Sequence, residues 1–99
     1  MGGLTHVAVF TWKAGTTEQQ VGELCEGLAR LPGLIPEILG YRFGPDAGLR
    51  DGNAAFAVVA EFAGTEGYLA YAAHPAHRDV IDRLLTPIVE DRSALQFGS

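Results

Sequence analysis

The chain has 99 residues, 47% of them hydrophobic and 19% charged, with a net charge of −5. That describes one globular domain with a real but modest core and excludes a disordered tail. Seven scattered basic residues argue against nucleic acid as a partner, and no apolar run approaches the roughly 20 residues that a membrane span needs.

In chain order, the first element is a strand over residues 5–13 (THVAVFTWK). It alternates, with His6, Ala8, Phe10 and Trp12 on one face and Val7, Val9 and Thr11 on the other. The segment before it carries neither a basic leader nor a small-residue cleavage site, so export is not expected. After a turn at Ala14-Gly15, Thr17 and Gln20 form a capping-box pattern. The helix they open carries Val21, Leu24, Cys25, Leu28 and Leu31 at 3–4 spacing and is expected to stop at Pro32-Gly33. Cys25 is the single cysteine, cannot form an internal disulfide and fits a reducing cytoplasm. It sits in the apolar stripe and reads as a small core residue with no electropositive neighbour to activate it.

A proline-bounded connector leads to a short strand over residues 39–44, then a polar, glycine-bearing loop over 45–53. Residues 54–62 (AAFAVVAEF) form the most apolar strand, with Phe56, Val58, Ala60 and Phe62 on one face. Thr65 is expected to cap a second helix running to Ala73, where Pro75 interrupts it. The helix then resumes with Val80, Ile81, Leu84, Leu85 and Ile88 on one stripe, and a last strand is expected over residues 94–97.

The order is β-α-β-β-α-β, the α+β ferredoxin-like plan over residues 1–99, with both helices on one face of a four-stranded sheet. The bare sheet face should then be polar, yet the strands at 5–13 and 54–62 are apolar on both faces. Exposing that area would be an aggregation liability, so a homodimer packed sheet to sheet is expected.

The segment YAAHPAH, Tyr71 to His77, places a phenol and two imidazoles within seven residues. On an unbroken helix, positions six apart would point to different faces. Pro75 breaks the helix and suits the first position of a new one, which lets His77 swing back towards Tyr71. Imidazole exchanges protons near neutrality, and a phenol donates to a carbonyl or enolate oxygen. The pair therefore suits proton abstraction beside a carbonyl. His6, on a central strand, would point into the same interior. Each residue also has a plainer role: His74 as a helix cap, Tyr68 and Tyr71 as core aromatics, His6 as a satisfied buried histidine. His6, His74 and His77 lack zinc-ligand spacing, and no phosphate-binding or nucleotide motif occurs, so neither metal nor cofactor is expected.

The strand THVAVFTWK, the strand AVVAEF and the segment YAAHPAH resemble the stress-responsive dimeric α/β-barrel family, Dabb, over nearly the whole chain. The resemblance implies a ferredoxin-like fold dimerising into an α/β barrel. In the branch typified by olivetolic acid cyclase, it implies cofactor-free aldol cyclisation of a polyketide, an activity expected here in bacterial biosynthesis. His77 maps to the base, Tyr71 to the carbonyl-orienting donor and His6 to a supporting position. Phe10, Phe56, Val58, Tyr68 and His74 would line a substrate pocket suited to an acyl or aromatic ligand. Phe56 stands where the cyclase has another pocket histidine, and Leu95 falls near the position of its last-strand aspartate. Glu90 and Asp91 are expected in the helix end or turn. The alternative is a non-catalytic stress protein of the same fold, binding a small apolar ligand. A related antibiotic-monooxygenase type of oxygenase is a third class.

Overall fold

The alternation of small and aromatic side chains over β1 (Leu4–Trp12) buries every second residue, His6, Ala8 and Phe10, on one side. In the computed structural model, which describes residues 3–98, β1 lies inside a four-stranded antiparallel sheet of order β2-β3-β1-β4. Met1, Gly2 and Ser99, the ends of the expected 1–99 domain, lie outside the described residues. β2 (Gly40–Pro45) and β4 (Val89–Gly98) form the edges, and β3 (Phe56–Phe62) pairs with β1 from Leu4↔Phe62 to Phe10↔Phe56. The ferredoxin-like α+β plan follows directly: helices α1 (Glu18–Leu34), α2 (Thr65–Ala73) and α3 (Pro75–Val80) cover the face that carries His6 and Phe10.

Helix α1 starts at the expected capping box. Thr17 Oγ1 accepts from the Gln20 amide at 3.1 Å, while the Gln20 side chain accepts from the Thr17 amide at 2.8 Å. Removing such a cap costs about 0.5–2 kcal/mol, so Thr17→Ala should lower the urea midpoint by that equivalent with an unchanged slope. The helix does not stop at Pro32-Gly33 but runs through Pro32 to Leu34. Leu31 and Ile35 are fully buried on either side of the proline, and the Ile35 amide still reaches the Leu31 carbonyl at 2.8 Å. Burial of those two residues outweighs one lost hydrogen bond in a final turn. Gly27 marks the contact with the end of α3 and the turn after it, where an added Cβ would lie 3.4 Å from Val80 and 2.7 Å from Leu84.

Three further expectations are corrected. Gly64, not Thr65, is the N-cap of α2, with no side-chain cap, and Thr65 is the first helical residue. After α3 the chain widens into a single π turn, Ile81–Leu85, closed by the Thr86 amide on the Ile81 carbonyl at 2.8 Å. Ile88 therefore lies beyond the helix, although it is buried with Val80 and Leu85. Finally, β4 begins at Val89, so Glu90 and Asp91 are strand residues and not part of a helix end. Their polar pattern is that of an exposed edge strand, held to β1 by backbone pairing.

Candidate functional site

Pro75 sits at the first position of α3, where its missing N–H leaves no helical bond unmade. His74 caps the new helix, its Nδ1 accepting from the Ala76 amide at 3.0 Å. The kink carries His77 back over the end of α2, and its ring lies 4.2 Å from that of Tyr71, centroid to centroid. His77 Nδ1 lies 3.2 Å from the Ala72 carbonyl. A carbonyl only accepts, so Nδ1 carries the proton and a neutral ring leaves Nε2 as a free acceptor. Burial lowers the His77 pKa below its ordinary value, opposed by the Ala72 bond and aided by Arg78, Arg92 and His74.

Tyr71 is 3% exposed and shares a hydrogen bond of 2.9 Å with Tyr41 Oη, from β2. Burial pushes both phenols above their ordinary pKa. Both are therefore neutral at pH 7, and with Tyr41 as the donor in their shared bond the Tyr71 proton is left free to donate. His6 stands on β1, beyond β3 from Tyr41, with ring centroids 5.0 Å from Tyr68 and 6.2 Å from Tyr71. Its Nδ1 lies 2.8 Å from Gln96 Nε2, an amide nitrogen that donates, so Nε2 of His6 carries its proton. Burial, then the charges of Arg92 and His77, push the His6 pKa down to about 4.

This has a consequence for stability. A histidine held neutral in the fold but free to charge when unfolded contributes stability above its unfolded value, which is lost as pH falls through the folded value. His6 should therefore make stability decline between about pH 6.5 and 4, at no more than about 1.4 kcal/mol per pH unit. His77 has a lowered pKa as well and adds in the same direction. Urea unfolding across this range should show a shallower decline in His6→Leu.

These groups face a cavity of about 380 Å³ between the sheet and the helices. Of the expected site residues, His6, Phe10, Val58, Tyr68, Tyr71 and His77 line it. Two do not. Phe56 is buried beyond it, stacked on Phe43 and against Trp12 at the far end of the sheet. His74 is occupied as the cap of α3. Cys25 is half-buried against the core, and burial raises its thiol pKa, leaving it a poor nucleophile. Among the described residues no group of three or more His, Cys, Asp or Glu could hold a metal ion.

Sequence reasoning missed three residues. Gln96, not Leu95, is the β4 residue opposite His6, because Leu95 pairs with Val7 on the other face of the sheet. Arg92 pairs with Phe10 and points the same way as Gln96, onto the cavity. Tyr41 reaches Tyr71 from β2, and its alternation with Phe43 was the available signal.

The fold is shared with known proteins. A dimeric ferredoxin-like protein from Thermobifida fusca superposes with a TM-score of 0.92 at 42% identity, over 99% of this chain and 92% of that one. The hydroxynitrile lyase of Passiflora edulis matches in fold alone, with a TM-score of 0.85 at 17% identity, over 98% and 96% of the two chains. In sequence, the stress-response A/B barrel domain-containing protein HS1 of Arabidopsis thaliana is 30% identical over 78 residues, covering 77% of this chain and 72% of that protein. Residues 4–98 match the model of the stress responsive A/B barrel domain, Dabb, and the chain belongs to that family.

Proposed function

We propose that this protein is a cofactor-independent acid–base enzyme acting on a polyketide-like carbonyl compound, by enolisation and aldol-type ring closure. The observation that carries the reading is the Tyr71–His77 contact at 4.2 Å, with His77 Nδ1 tied to Ala72 at the edge of an apolar cavity. In this reading His77 Nε2 removes a proton beside a carbonyl. The Tyr71 hydroxyl and the His6 Nε2–H donate to the oxygen on which the enolate charge gathers. The enolate carbon attacks a second carbonyl of the same chain, and the proton returns from His77 to the new alkoxide. The shape of the cavity holds the two carbonyls close enough to react. The test is incubation with a poly-β-keto acid and with its thioester: a cyclised product formed from either faster than in buffer supports the reading, and rates equal to buffer for both contradict it.

A homodimer is part of the proposal. The sheet face away from the helices carries half-buried Val7, Val9, Ala57 and Val59, with Leu95 57% and Phe97 51% exposed on β4. The match to a dimeric protein at 42% identity supports a partner there. Val7 lies at the centre of that face, between Val59 and Leu95. Sedimentation equilibrium should give twice the chain mass for wild type and a monomer for Val7→Glu; a monomeric wild type would remove this part of the account.

The second reading is a non-catalytic protein binding a small apolar ligand. It is favoured by the walls Phe10, Leu24, Leu28 and Val58, which offer a ligand burial and no chemistry. A ligand bound tightly and released unchanged would select it.

A further inference from the structure

The cavity has two unlike ends. Its buried lining is apolar apart from His6 and Tyr71, Tyr41, Tyr68 and His77 line it half-buried, and the exposed lining residues are Arg78, Asp82, Thr86 and Arg92. These four come from α3, the π turn with the residue after it, and β4, so the mouth lies between the helical layer and the edge strand. Two guanidinium groups stand there against one carboxylate. The one ion pair among the described residues is Arg83–Asp79 at 2.8 Å, on the exposed helix surface. Arg78, Arg92 and Asp82 therefore have no ion-pair partner. Arg92 lies close enough for its charge to be felt at His6, Tyr71 and His77.

A cationic mouth over an apolar interior, in a chain of net charge −5, is a local reversal of sign. General attraction of anions to the surface does not account for it. A neutral acyl chain would leave both exposed guanidiniums to water and draw nothing from them. An acyl chain ending in a carboxylate would give Arg92 a bidentate contact.

We propose that Arg92, with Arg78 at the same mouth, forms an anion subsite, and that the ligand is a medium-chain keto acid. Its carboxylate meets Arg92, its chain runs inward along Phe10, Leu28 and Val58, and its reactive carbonyl reaches Tyr71. Arg92 is thus a specificity-determining residue. The orientation of the carbonyl rests on the acid–base reading above, whereas the anion subsite stands or falls on binding alone.

The test uses hexanoate and hexanamide, which differ in charge and hardly in shape, titrated by NMR against the full chain. Wild type should bind hexanoate at least about tenfold more tightly than hexanamide. In Arg92→Gln the preference should fall to within about twofold, with hexanamide affinity unchanged. Arg50→Gln, which makes the same change of charge in an exposed loop, should keep the full preference. Equal affinity of wild type for the two compounds overturns the proposal. So does a preference that survives Arg92→Gln, or one lost equally in Arg50→Gln. No turnover is needed, so failure here leaves the acid–base reading standing, and a protein without turnover can still show the preference.

Discussion

Replacing His77 by alanine should lower kcat/KM on a poly-β-keto substrate by about 10²–10⁴-fold, the usual contribution of a positioned general base. Among the described residues no other group replaces it. His6 has its Nδ1 taken by Gln96, its Nε2 protonated and its pKa depressed to about 4, so it donates and does not accept. His74 has its Nδ1 taken by the Ala76 amide and lies off the cavity lining. The fold should tolerate the change, since the side chain is half-buried and its one hydrogen bond is to the Ala72 carbonyl in the last turn of α2. Far-ultraviolet circular dichroism of the variant should match wild type. Tyr71→Phe should cost about 10²–10³-fold, as for the loss of one donor to a developing oxyanion. The double variant should be little worse than the worse single one, because the two groups act in one step. The acid limb of the wild-type profile should lie below pH 6.5, since burial lowers the His77 pKa and the base must be neutral to work. Rates within threefold of wild type in both single variants would remove the pair from the chemistry.

Phe62→Ala should destabilise the fold by about 3–5 kcal/mol, a large share of the 5–15 kcal/mol typical of a domain. Its ring is 1% exposed and touches the rings of Tyr68 and Tyr71 at centroid distances of 5.9 Å and 5.2 Å. Truncation opens a cavity beneath α2 that neither strand backbone nor helix can close. The loss should appear as a lower urea midpoint, with binding of hexanoate weakened as well, because Tyr71 loses the ring that holds it in place. A destabilisation under about 1 kcal/mol would mean that the α2 layer repacks freely.

The elements that bury their own side chains were legible. The alternation of β1 and β3, the Thr17–Gln20 box and the 3–4 spacing of Leu24, Leu28 and Leu31 each state a period that the structure uses. Pro75 also announced its break, and with it the approach of His77 to Tyr71. Less visible was whatever depends on a neighbour. β4 opens with Val-Glu-Asp-Arg, which carries no strand alternation, and it is a strand because β1 offers it a backbone edge. The same register decides that Gln96 reaches His6 and Arg92 lines the cavity while Leu95 faces away, a choice that a one-residue shift would reverse. The π turn at Ile81–Leu85 has no sequence signature at all. Phe56 is expected in the pocket because it stands where the cyclase has a pocket histidine, yet the cavity ends before it and Trp12 and Phe43 fill that end.

The central claim is that His77 stands as a neutral base with Nε2 open to the cavity and Tyr71 beside it. Nitrogen-15 NMR of the histidine rings reads this directly, without any substrate. At pH 7 His77 should be neutral, with Nδ1 protonated towards Ala72, Nε2 bare, and a pKa below 6.5. Replacing Tyr71 by phenylalanine should move the Nε2 resonance, because the two rings are in contact. A charged His77 at pH 7, or a neutral ring with its proton on Nε2, would contradict the account.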